Sequence, residues 1–535
     1  MTVQEAIKPR APIQREVVQT NGLAWGAWAG LSALVGLFGA HALWIAAVNE
    51  DAYISFRYAE NFLNGDGLVF NAGAEPVEGI TNLLWTLILA AGARVTGLEL
   101  PALALALGIL CGALTLILAY HWCRTELEST GVSRIKTAYA ALLAPALLVL
   151  APGFTLYSGS GLETSPFALL VTCGLYALSC AGSLRRCAVA GALLGAAALT
   201  RPDGALVLAL GLIACVLRGK QRIGGAAAYA LTGFSMLAVV TLWRVLYYGS
   251  PVPNTFFAKA GGFDVMQRWG WPYLMEATYS NWFQLAFLLA LGAALLNREF
   301  LRRNLATLAL VPVWCAYVVY VGGDYMPAGR FLIPILPALY VLAVAGGVTL
   351  GRTAYGLRRF SRRTKFLIVG LPLVALSAAM ALQVPGNLRA ELDHQAEEKR
   401  WVAYRQAAVR WLDSQGGDPL VAANAVGLLG YHSDARMLDM LGLNDSHIAH
   451  FGSRDPKSFP GHQVGDGRYV LAQEPDYIIP FSVRPEFQWG STAPFFVGDK
   501  ELAELPDFGK EYELLKVRLD NGQDLSVFRR KPSAD

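Results

Sequence analysis

Residues 81–97, TNLLWTLILAAGARVTG, decide how this chain is threaded. The stretch is apolar but short, and a helix that crosses a bilayer needs about 20 residues. Eleven other apolar runs read as spanning helices, several of them short: roughly 24–47, 101–121, 137–151, 165–182, 188–200, 205–217, 225–245, 283–297, 305–321, 331–350 and 366–384. If 81–97 also crosses, every later loop changes sides. Lysine and arginine arbitrate, because cytoplasmic loops collect them. With 81–97 left out and the N-terminus inside, twenty Lys/Arg fall on the inner side, among them Arg124, Arg134, Lys136, Arg185, Arg186, Arg298, Arg302 and Arg303. Seven fall outside: Arg57, Arg94, Arg201, Arg244, Lys259, Arg268 and Arg330. Counting 81–97 as a span would reverse most of that bias. The expectation is an interfacial helix on the outer face, with Arg94 and Trp85 as headgroup-level anchors. Eleven spans that start inside then end outside. The run 24–47 is too long for a signal-peptide core and lacks a small-residue cleavage site after it, so it reads as a retained first span.

Composition agrees with a membrane chain. Of 535 residues, 54% are hydrophobic and 16% charged, against about 25% charged in ordinary soluble domains; a soluble cytosolic enzyme is excluded. The charges are unevenly spread. Residues 1–384 hold 27 Lys/Arg and 17 Asp/Glu, whereas residues 385–535 hold 17 and 23. A basic polytopic α-helical membrane domain (1–384) is therefore expected to carry an acidic soluble domain (385–535) on the extracytoplasmic, periplasmic side. The net charge of +4 is no argument for a nucleic-acid partner, since the cations sit in short clusters between apolar runs. All seven cysteines lie before residue 385, so the tail has no disulfide framework and no cysteine-based zinc site. His447 and His450 form an isolated HxxH with no further ligand in pattern. Residues 419–431, 477–483, 512–519 and 524–530 read as strands and 396–415 as a helix, which predicts a mixed α/β tail. Trp401, Trp411 and Trp489 are expected in its core.

Ionisable groups in a membrane domain are functional candidates by default, and here they gather on the outer side. The first outer loop (48–100) contains NEDAYISFRYAENFLNGDGLVFNAGAEPVEGITNLLW (49–85). Asp51 follows the first span directly, where a carboxylate could take a proton from an acceptor hydroxyl or simply cap the next helix. Tyr53, Phe56, Arg57 and Glu60 fall on one helical face. SGLET (160–164) brings Glu163 to a span start, again with capping as the alternative. LTRPDG (199–204) offers Arg201, either to grip a phosphate or to pair with Asp203. YYGSPVPNTFFAK (247–259) ends in Lys259, and GGDYMPAGRF (322–331) carries Asp324 and Arg330. Span centres are nearly free of charge, which favours an outward-facing enzyme over a carrier. Carboxylates and cations together suit a sugar carried on an anionic lipid phosphate.

These segments, in this order, resemble a bacterial branch of the GT-C glycosyltransferases, and within it the terminal β-(1→2)-arabinofuranosyltransferase group. The resemblance covers about residues 49–340 and includes NAVGLLGYHSDARMLDMLGLND (424–445) in the tail. It implies a multi-pass enzyme of the cell (inner) membrane that takes a sugar, arabinofuranose as the best single match, from a polyprenyl-phosphate donor. The acceptor would be a glycan, a lipid-linked glycan or a protein, on the extracytoplasmic face. Asp51 matches the family's catalytic acidic position, and Glu50 beside it could share or take the role. Donor phosphate and sugar contacts are expected from Arg57, Glu163, Arg201, Asp203, Lys259, Asp324 and Arg330, and acceptor contacts from Glu78, Asn444 and Asp445. No spacing demands a cofactor or a metal; a divalent cation, if used, would be held by Asp51, Glu163 or Asp203. Two alternatives stand beside this reading: a mannosyl- or other hexosyltransferase acting on lipopolysaccharide or protein, and a flippase or transporter of lipid-linked sugar.

Overall fold

In the computed structural model, residues 13–217, 222–259, 262–356, 362–480 and 494–532 are described. Trp489 and part of the 477–483 strand lie outside them. Each of the eleven apolar runs falls on a helix. Among the described residues, six helices are long and apolar enough to cross a bilayer: Trp25–Ile45, Leu100–Ser129, Ile223–Tyr248, Arg298–Val321, Arg330–Thr353 and Leu371–Gln415. Two further candidates are bent pairs, Arg134–Leu150 with Pro152–Ser158 at 71° and Phe263–Ser280 with Phe283–Leu296 at 77°. The first bend sits where the sequence puts it, since a residue before proline avoids the helical region and Ala151 is extended at φ −77°, ψ 117°. The other three, Thr164–Ser179, Leu184–Thr200 and Gly204–Leu217, are shorter than the roughly 30 Å hydrocarbon core at 1.5 Å per residue. Large apolar side chains such as Leu231, Leu246, Leu295 and Leu382 stand exposed on these helices, as lipid-facing surfaces require.

Leu83–Thr96 is a 14-residue helix closed by Gly97 in the left-handed region, and Arg94 is exposed in its last turn. Trp85 is not a headgroup anchor. It is buried, and its indole N–H donates to the Gly161 carbonyl at 3.2 Å, because it lies on the face that packs against the helix bundle.

The boundary expected near 384 is not a linker. One helix, Arg362–Gln415, runs through it with Pro372 and Pro385 inside. Beyond its apolar part this helix grips the end of the first span: Gln395 donates to the Trp44 carbonyl at 2.7 Å, and Glu391 lies 3.1 Å from His41. The tail is mixed α/β as expected. Its strands are β1 (Leu420–Ala423), β2 (Arg436–Asp439), β3 (Ser453–Arg454), β4 (Val464–Gly465), β5 (Tyr477–Ile479), β6 (Tyr512–Arg518) and β7 (Asp524–Arg530). The main sheet runs β2-β1-β5-β7-β6, with β1 parallel to β2 and β5, and β7 antiparallel to β5 and β6. The strand expected over 419–431 stops at Ala423, and Gly427–His432 is a helical turn. Alternation does the rest. Val421, Ala423 and Ile479 join one buried apolar network with the membrane helices, while Ala422 and Ile478 face a second, smaller core inside the tail. Trp411 meets Tyr477 edge-on, and Trp401 lies half-buried under the Arg405 guanidinium.

Candidate functional site

The first-loop helix, Glu50–Asn64, starts where Asn49 caps it, its side-chain oxygen accepting from the Asp51 N–H at 3.1 Å. That cap fixes Glu50 and Asp51 in the first turn and turns them in different directions. Glu50 is engaged by the tail: its Oε1 accepts from the backbone N–H groups of Gly427 (2.9 Å) and Leu428 (3.4 Å) and lies 3.5 Å from Arg405. Burial raises the Glu50 carboxyl, and Arg405 works against that. These contacts all fall on Oε1 and tie Glu50 to the tail, whereas Asp51 has no such tie to the tail among the described residues.

Asp51 faces a cleft. Its Oδ2 accepts from the Tyr325 hydroxyl at 3.3 Å, and the Tyr325 ring stands edge-on to His462 of the tail at 5.1 Å. Burial, with Asp51 and Asp324 nearby, pushes the Tyr325 hydroxyl well above its ordinary range, so it stays a donor. Burial lowers the His462 imidazole, partly offset by Asp51, which keeps it neutral near pH 7. His462 also stacks on Phe496 at 5.5 Å. Lys259 completes the ring. Tyr325 and Lys259 are solvent-accessible, and Asp51, Asp324 and Arg330 are close enough to act on both. Burial depresses the Lys259 ammonium, Arg330 depresses it further, and Asp51 and Asp324 pull it back.

The loop that holds Tyr325 needs its glycines. Gly322, Gly323 and Gly329 have φ of +87°, +73° and +66°, values that other residues adopt at a cost. A Cβ on Gly323 would also overlap the Tyr273 ring. Within this loop Asp324 accepts from Arg330 Nε, and the Arg330 guanidinium lies 5.6 Å from the Phe331 ring centroid.

The other cations are committed elsewhere. Arg201 is buried between two carboxylates, with Nη1 3.0 Å from Glu163 Oε1 and Nη2 2.9 Å from Asp203 Oδ2, and with Phe167 and Phe331 on its faces. Burial would raise the Glu163 carboxyl, but Arg201, Arg330 and the Asn82 amide hold it below the usual carboxylate range. Of the two readings of LTRPDG, the structure favours pairing over phosphate capture. Arg57 donates to the carbonyls of Phe70 (3.1 Å) and Ser433 (3.3 Å), which fastens the loop to the tail. Tyr53 and Phe56, on the same helix, pack against Tyr431.

Glu78, Asn444 and Asp445 line a seam rather than an open acceptor surface. Glu78 is buried with Arg244 Nε at 3.0 and 2.8 Å from its two oxygens. Asn444 donates to Asp439 at 2.9 Å, and Asp445 caps a short helix through Ile448 N–H at 2.8 Å and accepts from Tyr469. Among the described residues no group of three His, Cys, Asp or Glu could hold a metal. Glu163 and Asp203 are occupied by Arg201, and Asp51 belongs to a different wall of the site. The HxxH pair diverges: His447 stacks on Tyr469 and His450 on Phe257, each at 4.0 Å.

Sequence reading missed Tyr325 and His462. Tyr325 stood inside a quoted motif but does not titrate near neutrality, and His462 carries no motif at all.

Known proteins supply the frame for this geometry. A family profile described as a domain of unknown function (DUF8728) matches residues 390–528. The terminal β-(1→2)-arabinofuranosyltransferase of Corynebacterium glutamicum is 30% identical over 363 residues, covering 58% of this chain and 49% of the relative. The protein of the same name from Mycobacterium tuberculosis is 27% identical over 428 residues, covering 75% and 62%. The chain thus spans between about half and three-fifths of the length of these relatives. Among solved structures, ArnT from Cupriavidus metallidurans bound to undecaprenyl phosphate superposes with TM-score 0.55 at 14% identity, over 94% of this chain and 98% of ArnT. The Archaeoglobus fulgidus oligosaccharyltransferase superposes at 0.51 and 12% identity, over 92% and 72%. The chain is therefore a polytopic helical membrane protein with the GT-C fold, and in sequence it is arabinofuranosyltransferase-like.

Proposed function

We propose that the protein is a membrane glycosyltransferase that moves a sugar, arabinofuranose first among candidates, from a polyprenyl-phosphate donor to a glycan, lipid-linked or protein acceptor. Eleven crossings, a cytoplasmic N-terminus and a periplasmic tail belong to this reading, as does a place in the inner membrane. The observation that carries it is the Asp51 carboxylate, held among the described residues by Tyr325 at the edge of a cleft that also contains Lys259 and Arg330. Similarity to the arabinofuranosyltransferases and the fold shared with ArnT support the donor class.

The chemistry follows from that geometry. The acceptor hydroxyl oxygen attacks the anomeric carbon while Asp51 takes the hydroxyl proton. The bond between the anomeric carbon and the phosphate oxygen breaks, and its electron pair leaves on the phosphate. Lys259 and Arg330 neutralise the charge that develops there, which is where preorganised cations act most strongly. Asp324 holds Arg330 in place, and Tyr325 holds Asp51.

A positioned general base is worth roughly 10²- to 10⁴-fold in rate. In vesicles given radiolabelled polyprenyl-phosphate arabinose and an acceptor glycan, Asp51→Asn should lose turnover by that factor while keeping donor binding. Unchanged turnover would remove Asp51 from the chemistry. Donor movement across the bilayer without transfer would favour the flippase.

A further inference from the structure

The helical segment Phe263–Ser280 bends by 77° from Phe283–Leu296. If the latter crosses the bilayer, the former lies close to the membrane plane. Its level is fixed by packing. Gly270 lies against the backbone of Val319, so close that a Cβ there would collide with it, and Val319 is in the last turn of Arg298–Val321. That turn runs directly into the cleft loop at Gly322. The segment therefore lies across the outer end of a span.

Its two faces differ in the way an interfacial helix requires. Val265, Gly270, Leu274, Ala277 and Thr278 are buried. The opposite face presents Trp271, Met275 and Tyr279 at i, i+4 and i+8, exposed by 53%, 60% and 70%. Such a row of large side chains has no reason to face water, and aromatic residues gather at the headgroup level of membranes. The row does not end with the helix. Phe263 (69% exposed) opens the segment, and Phe256 (67%) lies a few residues before it. Phe256 touches Phe257, Phe257 stacks on His450, and His450 adjoins Phe451 of the tail, itself 76% exposed. Arg454 of the tail also donates to the Phe257 carbonyl at 2.7 Å.

We propose that Phe263–Ser280 lies in the outer headgroup layer of the bilayer and, with Phe256 and Phe451 beside it, forms the surface that seats the tail on the membrane. The partner is the lipid surface itself. Charge gives the contact its chemistry. The tail carries more acidic than basic residues, so anionic lipids would repel it, and an aromatic and thioether contact holds it down without needing lipid charge. The inner side of the same helix reaches the cleft: Tyr273 accepts from the Phe331 N–H at 3.0 Å, and Trp269 meets Phe459 of the tail at 5.3 Å. Lipid contact on one face is thus joined to the walls of the site on the other.

Site-directed nitroxides test this in the full chain. Met275→Cys, Tyr279→Cys and Phe451→Cys would each be labelled in phosphatidylcholine nanodiscs, with Lys516→Cys on the exposed edge strand β6 as the aqueous reference. Signal from the seven native cysteines is subtracted using unsubstituted protein labelled in parallel. Collision rates with oxygen and with a water-soluble nickel chelate then give depth. The expected result is burial within about 5–10 Å of the headgroup boundary at all three positions, unchanged when anionic lipid or salt is added, and water-like accessibility at 516. Water-like accessibility at 275 and 279 would overturn the proposal, as would a depth at the bilayer centre. A water-like signal at 451 alone would remove the tail from the contact and overturn the seating role.

Discussion

Side chain by side chain, the cations of the site differ in what already engages them. Arg201 has its guanidinium filled by Glu163 and Asp203, whereas among the described residues no ion pair engages the Lys259 ammonium. Lys259→Ala should therefore weaken donor binding by about 1.5–3 kcal/mol, the worth of a charge-assisted contact, which is about 10- to 150-fold in Kd. Arg201→Ala leaves two buried carboxylates uncompensated and should cost about 3–5 kcal/mol of stability, seen as a fall in Tm whether or not donor is present. Equal loss of donor affinity with unchanged Tm in Arg201→Ala would restore it as a phosphate ligand. The pH dependence follows from the depressed Lys259. Its charge, and with it donor binding, is fully present below its pKa and fades as pH rises through a value lower than that of an ordinary lysine. Lys259→Arg keeps the charge throughout, so affinity measured between about pH 7 and 10 should become flat.

At the level of elements, the first-loop helix and the long helix Arg362–Gln415 act as one piece around Asp51. Asn49 caps the former through Asp51 N–H and donates to Glu398 of the latter at 3.0 Å, while Glu50 meets Arg405 one to two turns further along. Burial pushes the Glu398 carboxyl up to about 7; Arg405 opposes this, while Asp51, Glu50 and Glu397 reinforce it. His394 lies 3.8 Å away on the same helix. An acid whose folded pKa exceeds its unfolded value of about 4.3 holds its proton more tightly when folded. Its contribution to stability is then present at low pH and declines as pH rises from about 4.3 to 7. Glu398→Gln should flatten that decline in Tm against pH. An undiminished slope would place the titration on another group, such as Asp439, which burial raises to about 6. The strand expected over 419–431 shows why this contact escaped the sequence. Apolar residues continue past Ala423, and Gly427–His432 is instead a helical turn whose first N–H groups donate to Glu50.

For the whole molecule, the threading is the largest claim and the easiest to check. Reporter fusions after residues 60, 130 and 400 should read outside, inside and outside. An outside signal at 130 would make Leu83–Thr96 a span and reassign every later loop. That helix has a length of roughly 21 Å at 1.5 Å per residue, less than the hydrocarbon core.

Much of this protein is written along the chain. Apolar runs of spanning length, the lysine and arginine bias and the acidic tail are one-dimensional signals, and the apolar runs fall on helical segments with the polar clusters in the loops between them. The strands expected over 512–519 and 524–530 are present, and the one expected over 419–431 is present only at its start. The roles within the cluster were decided only by tertiary structure. Glu50 and Asp51 are neighbours with the same chemistry, and what divides them is which one meets Arg405 and the Gly427 amide. Arg201 and Lys259 are both loop cations; Glu163 and Asp203 form ion pairs with the first, while among the described residues Asp51 and Asp324 act on the second without an ion pair. Tyr325 and His462 come together from positions more than a hundred residues apart. Electrostatic and hydrogen-bond partners are set by proximity in space, and no periodicity along the chain records who those partners are.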